Sequence, residues 1–193
     1  MRSAQFDREQ VLRSAIEAFV CKGYNKTSMQ DLKKATGLHP GSIYCAFENK
    51  QGLLVAALEQ YNKDRTAEFS DFFAGNRTVL TGLRRYLDYT LDLCTLGGPQ
   101  KVCFSQQALS ELTEQAPAVE TVISKNLHDW QAGFIWVFEQ ALAAEEVNAD
   151  RSPTARAQSL IMGIYGLRTY AHTHPSAQVL TQLTDQLFED VCR

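Results

Sequence analysis

Nowhere does the chain approach the ~18 uninterrupted apolar residues that a membrane-crossing helix requires. Its first ten residues, MRSAQFDREQ, hold no apolar core of the kind an export signal needs, so the expected compartment is the cytoplasm. Runs of alternating apolar and polar residues, the mark of half-buried strands, are also missing. Cysteine is sparse and scattered. Cys21, Cys45, Cys94, Cys103 and Cys192 form no C-x-x-C pair and are odd in number, which argues against a disulfide framework and a zinc site. In a reducing compartment they are free thiols. There is no Gly-rich phosphate loop, no H-E-x-x-H and no G-x-S-x-G elbow, so no catalytic residue is nominated and an enzyme is not expected. His128, His172 and His174 lack further ligands at defined spacing, so no metal or other cofactor is expected either. His172-Thr173-His174-Pro175 reads instead as a helix end, where imidazoles favour the negative pole of the helix.

What is present describes an ordinary globular chain. Of the 193 residues, 45% are apolar and 21% charged, enough for one large domain or two small ones. The net charge of -3 is unevenly spread. Residues 1–55 hold eight Lys/Arg against five Asp/Glu, and the remainder holds eleven against seventeen. A basic start on an acidic body suits a protein that touches nucleic acid with one end.

Glycine and proline cut the chain into about nine helices. Asp7 can cap the first, with Gln10 three residues on, and Gly23 stops it. Thr27 or Ser28 can cap the second, with Gln30 or Asp31 as partner, and Gly37 closes it near Thr36. The third runs from Pro40 to Phe47, with proline in the first turn, where a missing N–H costs little. The fourth starts at the cap Asn49 and continues to Phe73. Longer helices are expected at 77–96, 103–115, 118–145, 153–172 and 176–192, with a loop at Leu96-Gly97-Gly98-Pro99-Gln100.

The informative stretch is Thr27 to Leu54, TSMQDLKKATGLHPGSIYCAFENKQGLL. Two short helices flank a tight turn at Thr36-Gly37-Leu38-His39, the layout of a DNA-binding helix-turn-helix whose second helix enters the major groove. Gly37 can take positive φ, Leu38 fills the angle, and Ile43 and Phe47 bury the back of the second helix. That leaves His39, Pro40, Gly41, Ser42, Tyr44 and Cys45 nearer the DNA. Gly41 allows close backbone approach, and the Tyr44 hydroxyl can reach a phosphate.

Gly23, Thr27, Ser28, Asp31, Leu32, Ala35, Thr36, Gly37, Leu38, Gly41, Ser42, Ile43, Tyr44, Phe47, Lys50, Leu53 and Leu54 stand at the spacing of a known signature. The first quarter of the chain resembles the tetracycline-repressor (TetR) family. Ala46, Lys34 and His39-Pro40 depart from frequent family residues, which bears on the operator read rather than on DNA binding. The resemblance implies phosphate contacts from Thr27, Ser28, Tyr44 and Lys50, with His39, Pro40, Ser42 and Cys45 closest to base edges. It implies an all-α protein: a three-helix DNA-binding domain at 1–50 and a six-helix effector-binding and dimerisation domain at 51–193.

The function implied is a ligand-responsive regulator, a repressor released from a palindromic double-stranded operator by a small hydrophobic or aromatic effector. Family members pair their last two helices across a two-fold axis. Apolar stripes here include Ile164, Leu167, Leu180, Leu183 and Leu187, so a homodimer is expected. Gly163 and Gly166 permit close approach. The family's effector pocket falls where this chain is rich in aromatics, nominating Tyr61, Tyr86, Tyr89, Phe104, Trp130 and Phe134. Cys103 is nominated at its entrance. It follows a glycine loop, with Lys101 near in sequence, and starts a helix, where a thiol pKa can fall. Some similar repressors sense electrophiles or oxidants through such a cysteine. Two other readings of Cys103 remain: a small buried hydrophobe, or the nucleophile of a thiol-dependent enzyme with a base such as His128.

Overall fold

The computed structural model describes residues 6–75, 77–96, 103–112 and 116–193, and among them it contains nine helices and no strand. The expected all-helical fold is the one observed, and α1 and α2 start and end on the local signals the chain spells out. In α1 (Arg8–Lys22) the Asp7 side chain accepts from the Gln10 N–H at 3.1 Å, and Gly23 ends the helix at φ +80°. In α2 (Met29–Thr36) Ser28 and Asp31 form a reciprocal capping box, and Gly37 closes it in the left-handed region. His39 caps α3 (Pro40–Phe47) and Asn49 caps α4 (Lys50–Phe73), the Asn49 Oδ1 accepting from the Gly52 N–H at 2.8 Å. The later helices are α5 (Val79–Thr95), α6 (Phe104–Leu112), α7 (Pro117–Ala143), α8 (Pro153–Ala171) and α9 (Ala177–Cys192). The expected glycine loop and Lys101 lie outside the described residues, as does the stretch 113–115.

The chain divides into two compact units: residues 1–65 with 102–126, and residues 66–101 with 127–193. The first holds α1 to α3, most of α4, all of α6 and the start of α7. Its core joins Leu12, Ala15 and Phe19 of α1, Leu32 of α2, Ile43 and Phe47 of α3, Leu53, Leu54 and Leu58 of α4, and Phe104 and Ala108 of α6. The second holds the end of α4, then α5, most of α7, α8 and α9. Leu83, Leu87, Phe134, Phe138, Leu160 and Ile164 form its centre.

One buried charge organises the second unit. Arg156 is 1% exposed on α8. Its guanidinium donates to the Val191 carbonyl at 2.6 Å, the Asn148 carbonyl at 2.7 Å and the Asp150 carboxylate at 2.9 Å. Arg151 adds a bond to the Asp190 carbonyl at 2.9 Å. Two arginines thus satisfy the last turn of α9, whose carbonyls have no partners inside their own helix, and place cations at its negative end. The fork geometry matters, because a guanidinium spreads its donors over three nitrogens, whereas a lysine offers all of its donors from one.

Replacing Arg156 by Met should therefore orphan the buried Val191 carbonyl and the partly buried Asn148 carbonyl and cost on the order of 3 kcal/mol. A urea titration should show this as a lower midpoint at unchanged slope, with Arg156→Lys in between. A midpoint equal to wild type in the Met variant would refute the role.

Candidate nucleic-acid interface

The recognition element is built by contrast between two faces of α3. Ile43 is fully buried and Phe47 is 5% exposed, so both are taken up in the core behind the helix. On the other side Gly41, Ser42, Tyr44 and Cys45 are exposed, with Pro40 half-buried. Tyr44 leaves 48% of its surface to solvent. His39 stands exposed at the helix start, where its Nδ1 accepts from the Gly41 N–H at 3.3 Å. A neutral imidazole that accepts at Nδ1 carries its proton on Nε2, which leaves a donor for groove acceptors.

The turn before α2 is more strongly tied. Ser28 is exposed and donates its hydroxyl to Asp31 at 2.7 Å while accepting from the Asp31 N–H. Lys22 pairs with the same carboxylate. The Lys22 contact and then the Ser28 bonds hold the Asp31 carboxyl well below the usual range. Thr27, expected at a phosphate, is 1% exposed. Its hydroxyl donates to the Gly23 carbonyl at 2.6 Å, so that side chain closes the turn rather than facing outward. Lys50 sits with its ammonium 4.2 Å from the centre of the Tyr24 ring. Burial holds this ammonium below the ordinary lysine range, and the field of Glu111 acts against that shift.

Two residues of this region escape a reading of the sequence. Gly52 lies one turn into α4, where a Cβ would overlap the Phe47 carbonyl oxygen. Only glycine lets α4 start so close behind α3, and the clue was a glycine inside a helix with no capping reason. Glu111 on α6 accepts from the Asn25 N–H at 2.9 Å. They stand 86 positions apart in the chain, so no local signal could announce that bond.

The pocket candidates separate into two groups. In the first unit Tyr61 and Phe104 meet edge-on at 5.7 Å, and Phe104 also stacks on Phe19; Cys103 is half-buried at the start of α6. In the second unit Tyr86, Trp130 and Phe134 share one cluster with Phe69 and Tyr165. Trp130 Nε1 donates to the Tyr86 hydroxyl at 3.2 Å. Tyr89 lines a shallow surface groove of about 190 Å³ with Glu68, Asp71, Phe72 and Arg85.

The expected dimer residues also divide. Ile164, Leu167 and Leu180 are buried within the second unit. Leu187 packs so closely on Gly163 that a Cβ there would overlap its side chain. Leu183 remains 42% exposed, alongside Met162 at 71% and Tyr170 at 44%, and Gly166 has open space over it. No helix among the described residues is long and apolar enough to cross a membrane.

Comparison with known proteins agrees with this geometry. Residues 11–57 match the family model described as bacterial regulatory proteins, tetR family, and residues 79–187 match the tetracyclin repressor-like C-terminal domain. The chain is 27% identical over 184 residues to the HTH-type transcriptional repressor ComR of Escherichia coli, covering 94% of this chain and 87% of that protein. It is 25% identical over 165 residues to the transcriptional regulator AcuR of Cereibacter sphaeroides, covering 84% and 75%. Its fold superposes with TM-score 0.83 on a cysteine mutant of the TetR-family regulator CifR complexed with 26 bp double-strand operator DNA, at 23% identity and with 97% and 98% of the two chains covered. From its helix-turn-helix through its C-terminal helices, this chain belongs to the TetR family of DNA-binding transcriptional regulators.

Proposed function

We propose that the protein is a repressor that binds a near-palindromic operator as a homodimer in the cytoplasm and leaves it when a small hydrophobic or aromatic effector binds. The observation that carries the operator part is α3 itself: Ile43 and Phe47 anchor its back while His39, Gly41, Ser42, Tyr44 and Cys45 stand exposed on its front. The relatives named repressor and regulator support the same reading.

A palindrome needs a two-fold protein. The open face of Met162, Gly166 and Tyr170 on α8, with Leu183 on α9, is the surface this reading assigns to the second copy. Residues 162, 166 and 170 recur every four positions and so share one side of the helix. Gly166 lets a partner helix approach closely.

The effector part rests on the cluster around Phe134. Phe69, Tyr86 and Trp130 have ring centres 5.1 to 5.5 Å from it, and the bond from Trp130 to the Tyr86 hydroxyl is a polar point within an apolar wall. An effector shifts the operator equilibrium only by its preference for the released state. In this reading it rearranges the cluster, and the change travels along α4, which supplies Leu53 and Leu54 to one core and whose Phe69 and Phe73 pack against the other. Two recognition helices must keep about one DNA turn between them, ~34–36 Å, so a modest tilt of α4 is sufficient for release.

Four measurements check these parts. Selecting bound fragments from genomic DNA should return a near-palindrome. On it, Tyr44→Phe and Lys50→Ala should weaken binding on every sequence, and Lys50→Ala alone should also flatten the salt dependence by about one phosphate contact. Unchanged affinity in both, with an unchanged slope in Lys50→Ala, would count against this docking. Met162→Glu should give monomers by sedimentation and lose operator binding while helicity is retained; a dimeric variant would place the interface elsewhere. For the effector, Trp130 fluorescence in a Trp136→Phe background can be titrated with a panel of hydrophobic aromatics. Tyr86→Phe should blunt both quenching and operator release with basal binding intact, whereas Phe134→Ala should also destabilise the fold by ~3–5 kcal/mol. Wild-type release in Tyr86→Phe would remove the hydroxyl from the effector site.

A further inference from the structure

Helix α6 belongs to the same compact unit as the helix-turn-helix although it lies far along the chain. It is held there at both ends. At its start Phe104 is 2% exposed, its ring 6.3 Å from Phe19 and 5.7 Å from Tyr61. Near its end Glu111 reaches the turn between α1 and α2. There its Oε2 accepts from the Asn25 N–H at 2.9 Å. The carboxylate lies against Gly23, where a Cβ would stand 2.5 Å from Oε1 and where φ is +80°.

That turn sets where α2 begins. The Gly23 carbonyl accepts the Thr27 hydroxyl and backbone N–H, and Ser28 then starts the capping box. α2 in turn carries α3 through Gly37. A carboxylate placed here has a cost, because a negative charge beside a DNA-binding surface opposes phosphates. Electrostatics alone would favour a neutral or basic residue at 111. The hydrogen bond to Asn25 and the attraction of the Lys50 ammonium offset that cost.

We propose that Glu111 is a positioning residue for DNA binding: its carboxylate clasps the α1–α2 turn, so that the seating of α6 sets the orientation of the recognition helix. This rests on the operator-binding reading above. The chain enters α6 from residues 66–101 and leaves along α7 into residues 127–193, both in the second unit. A shift of α6 therefore withdraws the carboxylate from the turn, a route separate from α4.

The test uses the full-length protein as wild type, Glu111→Gln and Glu111→Lys, titrated onto the selected operator, with amide exchange measured at Asn25. The glutamine keeps an acceptor oxygen and removes the charge. The lysine removes the acceptor and adds a charge that favours DNA. The clasp requires the lysine variant to bind about tenfold more weakly than wild type, the loss of one charge-assisted hydrogen bond, despite its added charge. It requires the glutamine variant to stay within about threefold of wild type, and Asn25 exchange to quicken in the lysine variant alone. A lysine variant that binds as tightly as wild type or tighter overturns the proposal, and so does a glutamine variant as weak as the lysine one. If the lysine variant does not fold, Glu111→Ala takes its place under the same criteria. A wild-type protein that binds no palindromic DNA would sink the operator reading, whereas unchanged Asn25 exchange in the lysine variant would sink the clasp alone.

Discussion

An eight-residue helix cannot maintain itself in water, because the cost of nucleating it is not recovered over two turns. α3 is such a helix, and its dependence on burial behind it organises the whole N-terminal unit. Ile43 and Phe47 enter a core walled by Phe19, Leu32, Leu54 and Phe104. Each wall residue comes from a different helix, so the position of the recognition surface is the joint result of four other elements. The caps at Ser28, His39 and Asn49 set where the helices start, and Gly52 lets the fourth begin against the third.

The second unit solves a different problem. Its helices are long enough to be stable by packing, and its centre carries an arginine as well as apolar groups. Arg156 and Arg151 close the end of α9 against the segment between α7 and α8. With that end fixed, α8 and α9 can meet closely at Gly163 and Leu187 while Met162, Gly166 and Tyr170 stay outside. The division between inward and outward stripes on α8 is thus a consequence of how tightly it lies on α9.

Membership of the units links these two problems. Helices α4 and α7 each contribute residues to both, and α6 belongs wholly to the first. The helix-turn-helix is covalently attached through α4 alone, but it is packed against α6 as well, through Phe104 stacked on Phe19 and Glu111 bonded to Asn25. On the two proposals above, the recognition helix has two mechanical inputs, one along a helix axis and one through a side-chain contact.

The helix-turn-helix was legible because its determinants are local. Capping pairs lie three residues apart, Gly37 answers a backbone need at its own position, and the burial of Ile43 and Phe47 follows from their four-residue spacing. The all-helical class follows from the same periodicity. What the sequence could not convey were interactions between residues far apart in the chain. Thr27 reads locally as a hydroxyl free for phosphate, whereas in the fold it is bonded to the Gly23 carbonyl. Tyr61 and Phe104 read as one group with Tyr86, Trp130 and Phe134 because composition counts aromatics without regard to which core they fill. Ile164, Leu167 and Leu180 share apolar character with Met162 and Leu183, yet which stripe turns inward depends on where α9 lies against α8. Helix periodicity determines that a face is apolar; only the packing of one helix on another decides what that face meets.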